Sequence, residues 1–274
     1  MKRTLLFVVL TALLTAGCHR SEKKPFSIHE RNGEQSYRLT FNEEQGPWGN
    51  TVNMSVSYIV AWPDEGLLPP AAERELQYFY FGDSTSTFED AARSWLAKNF
   101  FFDEEEYEKV PIDPADDESE YCYVSLESEC QHDSLLATFL ALRESFIAGA
   151  AHGMHYADYL IFDLETGRSV HLADLVTDTN LLCEAIAHAI QDLQVNSGIQ
   201  ECLFDEYRNV ERMPLPRNFI IDGDRTGIIV FYGLYEIAPY ACGIQEVTLP
   251  IFWLSKHVPL TPYAKRLFGP GCSL

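Results

Sequence analysis

Basic residues are scarce in this chain. Its 274 residues include 20 Lys and Arg against 41 Asp and Glu, which gives a formal net charge of −21 at pH 7. Such a surface repels phosphate groups, which excludes nucleic acids and anionic lipid headgroups as partners. It attracts cationic partners by long-range steering, and the alternative is that acidity only keeps an exported protein in solution.

Long hydrophobic runs are also absent. The longest apolar stretch, Leu5–Leu14, has ten residues, whereas a membrane-spanning helix needs about 20. Lys2 and Arg3 precede this stretch, and Thr15-Ala16-Gly17 leads directly to Cys18. Positive residues, a short apolar run and small residues before a cysteine resemble a bacterial lipoprotein signal peptide. We therefore predict a signal peptide over residues 1–17 and lipidation of Cys18.

Removal of this segment leaves 257 of the 274 residues, and the loss of Lys2 and Arg3 takes the net charge from −21 to −23. The lipid would attach the chain to a membrane without a transmembrane helix. Position 19 is His rather than Asp, which predicts a location in the bacterial cell envelope, at the outer membrane and facing the periplasm. The alternative is that Cys18 is a buried structural cysteine.

The other six cysteines contain no C-x-x-C pair, which argues against a zinc ribbon or a thioredoxin-type motif. An even number in an oxidising compartment predicts disulfides, although six cysteines allow fifteen pairings. We predict that sequence neighbours pair: Cys122–Cys130, Cys183–Cys202 and Cys242–Cys272. The first pair requires a turn between them, because eight residues of extended strand span ~26 Å and disulfide Cα atoms lie within about 7 Å.

Local patterns predict strands and helices along the chain. Alternation predicts strands over Tyr37–Phe41 and Val52–Trp62. Pro69-Pro70 predicts the start of a first helix, and the Thr87/Asp90 capping box predicts a second. Leu135–Ala148 is ambiguous between helix and strand, and its Leu and Ala content favours helix.

Further along, Asp178 predicts the start of an amphipathic helix. Asp222-Gly223-Asp224 between apolar runs predicts a hairpin, and Val247–Leu254 predicts a last strand. The acidic segment Asp103–Glu120 holds ten carboxylates and one lysine. It is either a solvated loop or a landing site for a basic protein, and in the second case Asp116, Asp117 and Glu118 are the candidate contacts.

Catalytic signatures are missing: the chain has no G-x-S-x-G, H-E-x-x-H, G-x-x-x-x-G-K or G-x-G-x-x-G. His152 and His155, with His132 and His171 nearby in sequence, have a metal-like composition, and Asp158 or Asp163 would be a third ligand. The alternative is that His152 hydrogen-bonds to the backbone of its own turn. We therefore predict no catalytic residue, no metal and no cofactor.

Several motifs occur together in the second half of the chain. They are a Gly-Ala-Ala-His-Gly corner (Gly149–Gly153), Asp-x-x-Thr-Gly (Asp163–Gly167), Leu-x-Asp-Leu (Leu172–Leu175), Tyr-Glu-Ile-Ala-Pro-Tyr-Ala-x-Gly (Tyr235–Gly243) and Val-x-x-Pro (Val247–Pro250). In combination they resemble the extracellular domain of RsiV-type anti-sigma factors and the related lipoproteins.

This resemblance implies an α+β fold of two small sub-domains, each an antiparallel sheet with packed helices. It also favours a strand over Leu135–Ala148, leading into the Gly149 corner, and we adopt that interpretation. The expected bounds are a tether over residues 18–34, sub-domains over 35–168 and 169–262, and a tail over 263–274. The corner formed by Gly149, His152 and Gly153, with Asp163 and Gly167 closing the following strand, would join the sub-domains. The chain lacks a cytoplasmic sigma-factor-binding segment, which argues against an anti-sigma role.

The best understood relatives of this type are receptors for lysozyme, a small basic protein. The leading hypothesis is therefore a lipid-anchored, non-catalytic module that binds a basic lysozyme-like protein through Tyr235, Glu236, Tyr240 and the acidic segment. A first alternative is a peptidoglycan- or glycan-binding module that uses Trp48, Trp62 and Tyr240. A second alternative is a metal-dependent envelope enzyme that uses the His152/His155 corner.

Overall fold

A computed structural model describes residues 25–41, 51–100, 107–112, 121–196 and 202–269. Several predictions lie outside these ranges, namely the signal peptide and those on Cys18, Trp48, Asp116, Asp117, Glu118 and Cys272. No helix in the described part of the chain has the length and apolar character needed to cross a membrane.

The described residues form an α+β structure. The strands are β1 (Ile28–Phe41), β2 (Thr51–Pro63), β3 (Tyr107–Pro111), β4 (Tyr121–His132), β5 (Leu136–Phe146), β6 (Met154–Asp163), β7 (Arg168–Ser169), β8 (Asn218–Ile221), β9 (Gly227–Tyr232) and β10 (Gln245–Pro250). The helices are α1 (Pro70–Phe81), α2 (Phe88–Lys98), α3 (Leu172–Leu175), α4 (Thr179–Asn196), α5 (Ile251–His257) and α6 (Pro262–Phe268). The predicted fold class is confirmed.

The strands form a seven-stranded sheet in the order β3-β1-β2-β4-β5-β6-β7 and a three-stranded sheet in the order β10-β9-β8. The sequence predicts antiparallel sheets, but the larger sheet contains one parallel pair. In it β2 runs parallel to β4, with Met54 opposite Cys122. Between these strands the chain forms α1 and α2 and then β3 at the far edge. The chain then returns to the other side of β2 as β4, which runs in the same direction as β2.

The predicted tether is wrong for its last seven residues. Residues 28–34 belong to β1, and Ile28 lies opposite Pro63 in β2. Gly33 is part of the reason, since a Cβ at this position would lie 2.7 Å from the Tyr58 ring. The bare backbone of Gly33 therefore leaves room for the Tyr58 ring to lie against β1.

Local signals placed the first helices correctly. Pro70 occupies the first turn of α1. The Thr87 hydroxyl accepts a hydrogen bond from the Asp90 backbone N–H and donates one to the Asp90 carboxylate, as the capping box predicts. Both helices pack on the N-terminal core, which includes Leu76 of α1 and Phe162 of β6.

The C-terminal part begins with α3 and with α4, whose Asp178 carboxylate accepts hydrogen bonds from the backbone N–H groups of Asn180 and Leu181. The predicted last strand ends early, because residues after Pro250 start α5. The predicted tail, residues 263–274, is also wrong over its first six residues, which belong to α6. Thr261 caps this helix and its Leu267 is buried in the C-terminal core.

Strands β5 and β6 form a shared wall between two hydrophobic cores. Ile161 contributes to the C-terminal core, whereas the next residue, Phe162, contributes to the N-terminal core. This division follows from the two-residue period of a strand, which sends successive side chains to opposite faces. An ion pair between Asp133, in the β4–β5 turn, and Arg225, in the β8–β9 turn, also connects the two parts.

The structure corrects the predicted disulfides. Cys202 is bonded to Cys242, with Cα atoms 6.1 Å apart, so the pairings Cys183–Cys202 and Cys242–Cys272 are wrong. Cys122 and Cys130 both lie on β4, which stays paired with β5 from Tyr123 to His132. The turn that would bring these two cysteines together is therefore absent, and their predicted bond is wrong as well.

Candidate binding site

The corner around His152 connects β5 to β6 within the larger sheet, so it does not join the two sub-domains along the chain as predicted. Gly149 has a φ of +80°, and a Cβ at Gly153 would lie 3.0 Å from the carbonyl oxygen of Ser145. His152 Nδ1 lies 2.9 Å from the carbonyl oxygen of Gly153. Since a carbonyl only accepts, Nδ1 carries the hydrogen, and the predicted bond within the corner is confirmed.

The corner contacts the C-terminal part through a ring stack. The His152 and Tyr240 rings have centroids 3.9 Å apart and planes 17° apart. His155 approaches Tyr240 edge-on at 6.3 Å, and the Tyr235 ring lies 5.8 Å from that of Tyr240. These four side chains form what we call the aromatic cluster. The structure thus brings together two groups that the sequence indicated separately.

The segment before Tyr240 has an unusual backbone that presents Tyr235 to solvent. Tyr235 has a φ of +63°, and 51% of it is exposed. The turn is closed by Glu236, whose carboxylate Oε2 accepts a hydrogen bond of 2.8 Å from the Gly233 N–H. Non-glycine residues with positive φ cost free energy and occur preferentially at functional sites. The turn therefore marks this surface as a candidate site.

Buried residues and a disulfide hold the backbone that carries the tyrosines of the aromatic cluster. Ile237 and Ala238 are buried, with Ile237 in the C-terminal core. Tyr240 begins a short 3-10 helix, Tyr240–Cys242, and the bond from Cys242 to Cys202 ties the end of that helix to the segment before Phe204. The Phe204 N–H also donates to the Ile237 carbonyl.

Beside the cluster lies a cleft of about 660 Å³ between β6 and the three-stranded sheet. One wall is the run His155–Tyr159 of β6. The opposite wall includes Phe231, Glu236 and Glu246, and Arg217 lines the cleft near Asn218. Burial raises the pKa of Tyr159, and the nearby Glu246 carboxylate raises it further.

Asn218 closes one end of the cleft. Its Oδ1 accepts a hydrogen bond of 3.1 Å from the Tyr159 backbone N–H, and its Nδ2 donates to Asp158 Oδ1 at 3.3 Å. The other carboxylate oxygen of Asp158 is 2.6 Å from Arg143 Nη1. Asp158 is therefore held by two partners, one on each side of the β5–β6 wall.

Exposed apolar side chains concentrate at this cleft. Tyr156, Leu215 and Ile244 line it, and each is among the exposed large hydrophobic residues of the described chain. With Tyr235 at the rim, they provide an apolar surface beside the carboxylates. Exposed apolar patches bordered by polar groups are typical of binding sites, and tyrosines are enriched in interface hot spots.

In the part of the chain that the structure describes, the histidines are not arranged as the metal site of the alternative hypothesis. No group of three or more His, Cys, Asp or Glu side chains is placed there to hold an ion. His132 packs against Phe26, and the His171 backbone N–H donates to Asp174 at the start of α3. Asp163 lies at the other end of β6 from His155.

Asp163 and Gly167 form the tight turn that the sequence predicted. Asp163 accepts hydrogen bonds of 2.9 Å from the backbone N–H groups of Glu165 and Thr166. Gly167 has a φ of +69° and lies against Pro69, where a Cβ would be 2.5 Å from the proline ring. Burial opposes ionisation of Asp163, but hydrogen-bond donors beside its carboxylate, first the Thr166 N–H and then the Tyr263 and Thr166 hydroxyls and the Glu165 N–H, hold its pKa below the usual value.

Trp62 does not provide a surface for a glycan. It is buried, and its ring packs against Phe88 at 4.8 Å and under the Arg31 guanidinium. Of the aromatic residues expected for glycan binding, Tyr240 is the one that is described and partly accessible, since it is half-buried.

Sequence reasoning missed Tyr156, Asn218 and Glu246. Two signals were present: the alternation of β6 places His155 and Ala157 on one face, and an Asn opens the predicted β8 strand. Neither signal reveals the cleft, because the cleft exists only where β6 and β8 meet across 59 residues of sequence.

The architecture is that of a two-core α+β protein with a cleft at the junction. Residues 173–251 match the family described as "Protein of unknown function (DUF3298)". This match lies within the predicted C-terminal sub-domain.

Two solved structures share the fold. A DUF3298 family member from Bacteroides fragilis NCTC 9343 has a TM-score of 0.59 and 14% identity, with 89% of this chain and 98% of that chain covered. A DUF3298 family protein from Pseudomonas aeruginosa PAO1 has a TM-score of 0.54 and 16% identity, with 88% and 97% covered. No curated protein matches the chain.

Proposed function

We propose that this protein is a non-catalytic binding module of the bacterial cell envelope, and that its ligand is a basic lysozyme-like protein. The observation that carries the proposal is the aromatic cluster at the rim of the cleft. Tyr235 is exposed there and Tyr240 is half-buried, on a backbone fixed by the Glu236 turn and the Cys202–Cys242 bond. Rigid, exposed tyrosines give large contact area at low entropic cost.

Charge supports a cationic ligand. The whole chain carries a net charge of −21. Among the described residues that line the cleft, Arg217 is the one Lys or Arg, whereas three residues carry carboxylates, namely Asp158, Glu236 and Glu246. A basic surface would be drawn to this side by electrostatic steering and would find apolar anchors beside the carboxylates.

The hydrogen bonding supports binding rather than catalysis. Asp158 is engaged by Arg143 and Asn218, and Glu236 closes its own turn through the Gly233 N–H. These carboxylates therefore serve the backbone and the junction.

The identity of the partner and the location rest on sequence features. The resemblance to RsiV-type receptors supports lysozyme as the basic protein. The signal-peptide pattern before Cys18 supports a lipid anchor at the outer membrane, facing the periplasm.

Binding of purified mature protein to immobilised lysozyme tests this proposal. We expect binding at low salt and a steep loss of affinity as salt is raised, because exposed charges are screened within about 8 Å at physiological ionic strength. If no binding occurs at low salt, lysozyme is the wrong partner.

A glycan ligand is the second candidate, and the exposure of Tyr235 with the partial exposure of Tyr240 favours it, since sugar rings stack on tyrosines in many sites. It predicts sedimentation with purified cell wall that does not respond to salt. Salt-sensitive binding to lysozyme and absence from the cell-wall pellet would exclude it.

A further inference from the structure

One edge of β6 is open along the cleft. On one side β6 pairs with β5 from Met154 to Asp163. On the other side it pairs with β7 only at Phe162 and Asp163. The first half of β6 is therefore an edge of the seven-stranded sheet.

The direction of each backbone group on β6 follows from the antiparallel ladder. The N–H of Leu164 donates to the carbonyl of Leu135, so even-numbered residues of β6 bond to β5 and odd-numbered residues point outward. Two outward contacts agree with this: the Val170 N–H donates to the Ile161 carbonyl, and the Tyr159 N–H donates to Asn218. The N–H and C=O groups of His155 and Ala157 consequently point away from β5.

These outward groups lie in the wall of the cleft, since His155 and Ala157 both line it. Within the described residues, no hydrogen bond satisfies their outward backbone groups. Proteins normally cover an exposed edge or block it with charges, because it is a template for another strand. The open part, from His155 to Ala157, is ~7 Å long at the usual rise per residue, and Asn218 bounds it at Tyr159.

We propose that an extended segment of the basic partner enters the cleft and pairs as an added strand with the open edge of β6. This inference rests on the proposed function and specifies how its ligand binds. Strand addition of this kind obtains affinity from main-chain hydrogen bonds and specificity from alternate side chains.

Asn218 shows that an N–H group on this edge can donate to an amide oxygen. Its side-chain amide bonds to the Tyr159 N–H, which is the interaction that a backbone carbonyl of an added strand would make at the next outward positions, Ala157 and His155. A strand at the usual spacing of about 4.8 Å from β6 would lie within the cleft, whose volume is about 660 Å³.

The carboxylates of the cleft determine which kind of strand fits it. Alternate side chains of an added strand project to opposite faces, so one row would project toward the wall that carries Glu236 and Glu246. Lys or Arg in that row would meet both carboxylates, while apolar residues in the other row would meet exposed side chains such as Tyr156. The preferred segment therefore alternates basic and apolar residues.

The probe for this proposal is a hexapeptide that alternates lysine with valine and is acetylated and amidated at its ends. We expect it to bind the full mature chain and to slow amide hydrogen exchange at His155 and Ala157. Ala157→Pro removes one outward N–H and no bond to β5, and proline is tolerated on an edge. It should weaken peptide binding about tenfold, whereas the matched Ala157→Val, which keeps the N–H, should change it less than about threefold.

A second measurement does not depend on a variant that folds. Two versions of the peptide are compared, one methylated on its lysine amide nitrogens and one on its valine amide nitrogens. In an added strand only one of these rows faces β6, so we expect one version to lose binding and the other to keep it.

Equal loss, or equal retention, by the two methylated peptides would overturn the proposal, and so would peptide binding without protection of His155 and Ala157. Protection that appears without peptide as protein concentration rises would assign the edge to a second copy of this chain and also overturn it.

Lysozyme binding separates the two proposals. If lysozyme binds wild type and Ala157→Pro equally, the strand inference fails alone, and if lysozyme does not bind while the peptide does, the lysozyme assignment fails alone.

Discussion

The imidazole of His152 lies flat on the phenol ring of Tyr240, with ring centroids 3.9 Å apart. The two residues belong to different parts of the chain: His152 is in the β5–β6 corner of the larger sheet, and Tyr240 starts the 3-10 helix beside the smaller one. The stack therefore fixes the rim of the cleft from both sides. His152 is itself held by its bond to the Gly153 carbonyl, so the corner acts as a platform for the tyrosine.

Truncation of Tyr240 tests whether the aromatic cluster carries the binding energy. We expect Tyr240→Ala to weaken lysozyme binding by about 2 kcal/mol, in the range of interface hot spots. The matched control is Tyr78→Ala on α1, which removes a tyrosine that is 60% exposed on the N-terminal part. Titration calorimetry at low salt measures both variants, and an equal effect of the two would contradict a role for the cluster.

Neutralisation of Glu246 tests the electrostatic contribution of the cleft. Glu246 is exposed and lines the cleft, so we expect Glu246→Gln to slow association with lysozyme and to weaken binding by about 0.5 kcal/mol at low salt, since rim charges act mainly on the association rate. Glu65→Gln, in the exposed turn before α1, is the control of equal charge. Surface plasmon resonance would contradict the prediction if both variants associate at the same rate.

Sequence patterns predicted the elements that local interactions determine. Thr87, Asp178 and Pro69-Pro70 each placed a helix start, because a cap acts within four residues of the chain. The Asp163–Gly167 turn was equally local. The same type of signal was present at Thr261-Pro262, where it was overlooked and α6 was taken for a tail.

Long-range relationships were not predictable in this way. The parallel pairing of β2 with β4 depends on where the chain re-enters the sheet, and the Cys202–Cys242 bond joins residues 40 apart. The cleft likewise depends on Asn218 meeting Tyr159 across the junction. Hydrophobic period identifies the face of a strand, but it carries no information about the partner of its edge.

Removal of the Cys202–Cys242 bond should destabilise the C-terminal part. The bond closes a loop of 40 residues, for which the chain-entropy model gives about 4 kcal/mol. We expect the paired Cys202→Ser and Cys242→Ser variant to lower the free energy of unfolding by up to this amount and to weaken lysozyme binding, because the bond holds the segment that carries Tyr240.

Cys183→Ser is the control, since Cys183 is half-buried on α4 and is not part of that bond. It should lower the free energy of unfolding in denaturant by less than about 1 kcal/mol, as small core changes do. If the wild type loses no stability in reductant, Cys202 and Cys242 are not joined in the protein as isolated.

Acid should destabilise the fold through Asp163. Burial raises the pKa of Asp163, but the hydrogen bonds that its carboxylate accepts, first from the Thr166 N–H, outweigh this effect and place the folded pKa below the unfolded value. The stabilisation from its charge is present above the unfolded pKa of about 3.9 and is lost as pH falls through the folded pKa. The window of this loss therefore lies below about pH 4.

Asp163→Asn removes the charge while its side-chain oxygen still accepts the two turn hydrogen bonds. We expect the variant to be less stable than wild type at pH 7 by about 1 kcal/mol, since hydrogen bonds to charged groups are the stronger ones. Below pH 4 the difference should shrink, because wild type loses its charge as well.

Asp224→Asn, in an exposed turn, should leave the pH profile unchanged. Urea unfolding at each pH measures the difference, and parallel profiles for wild type and Asp163→Asn would show that the Asp163 charge contributes nothing to stability.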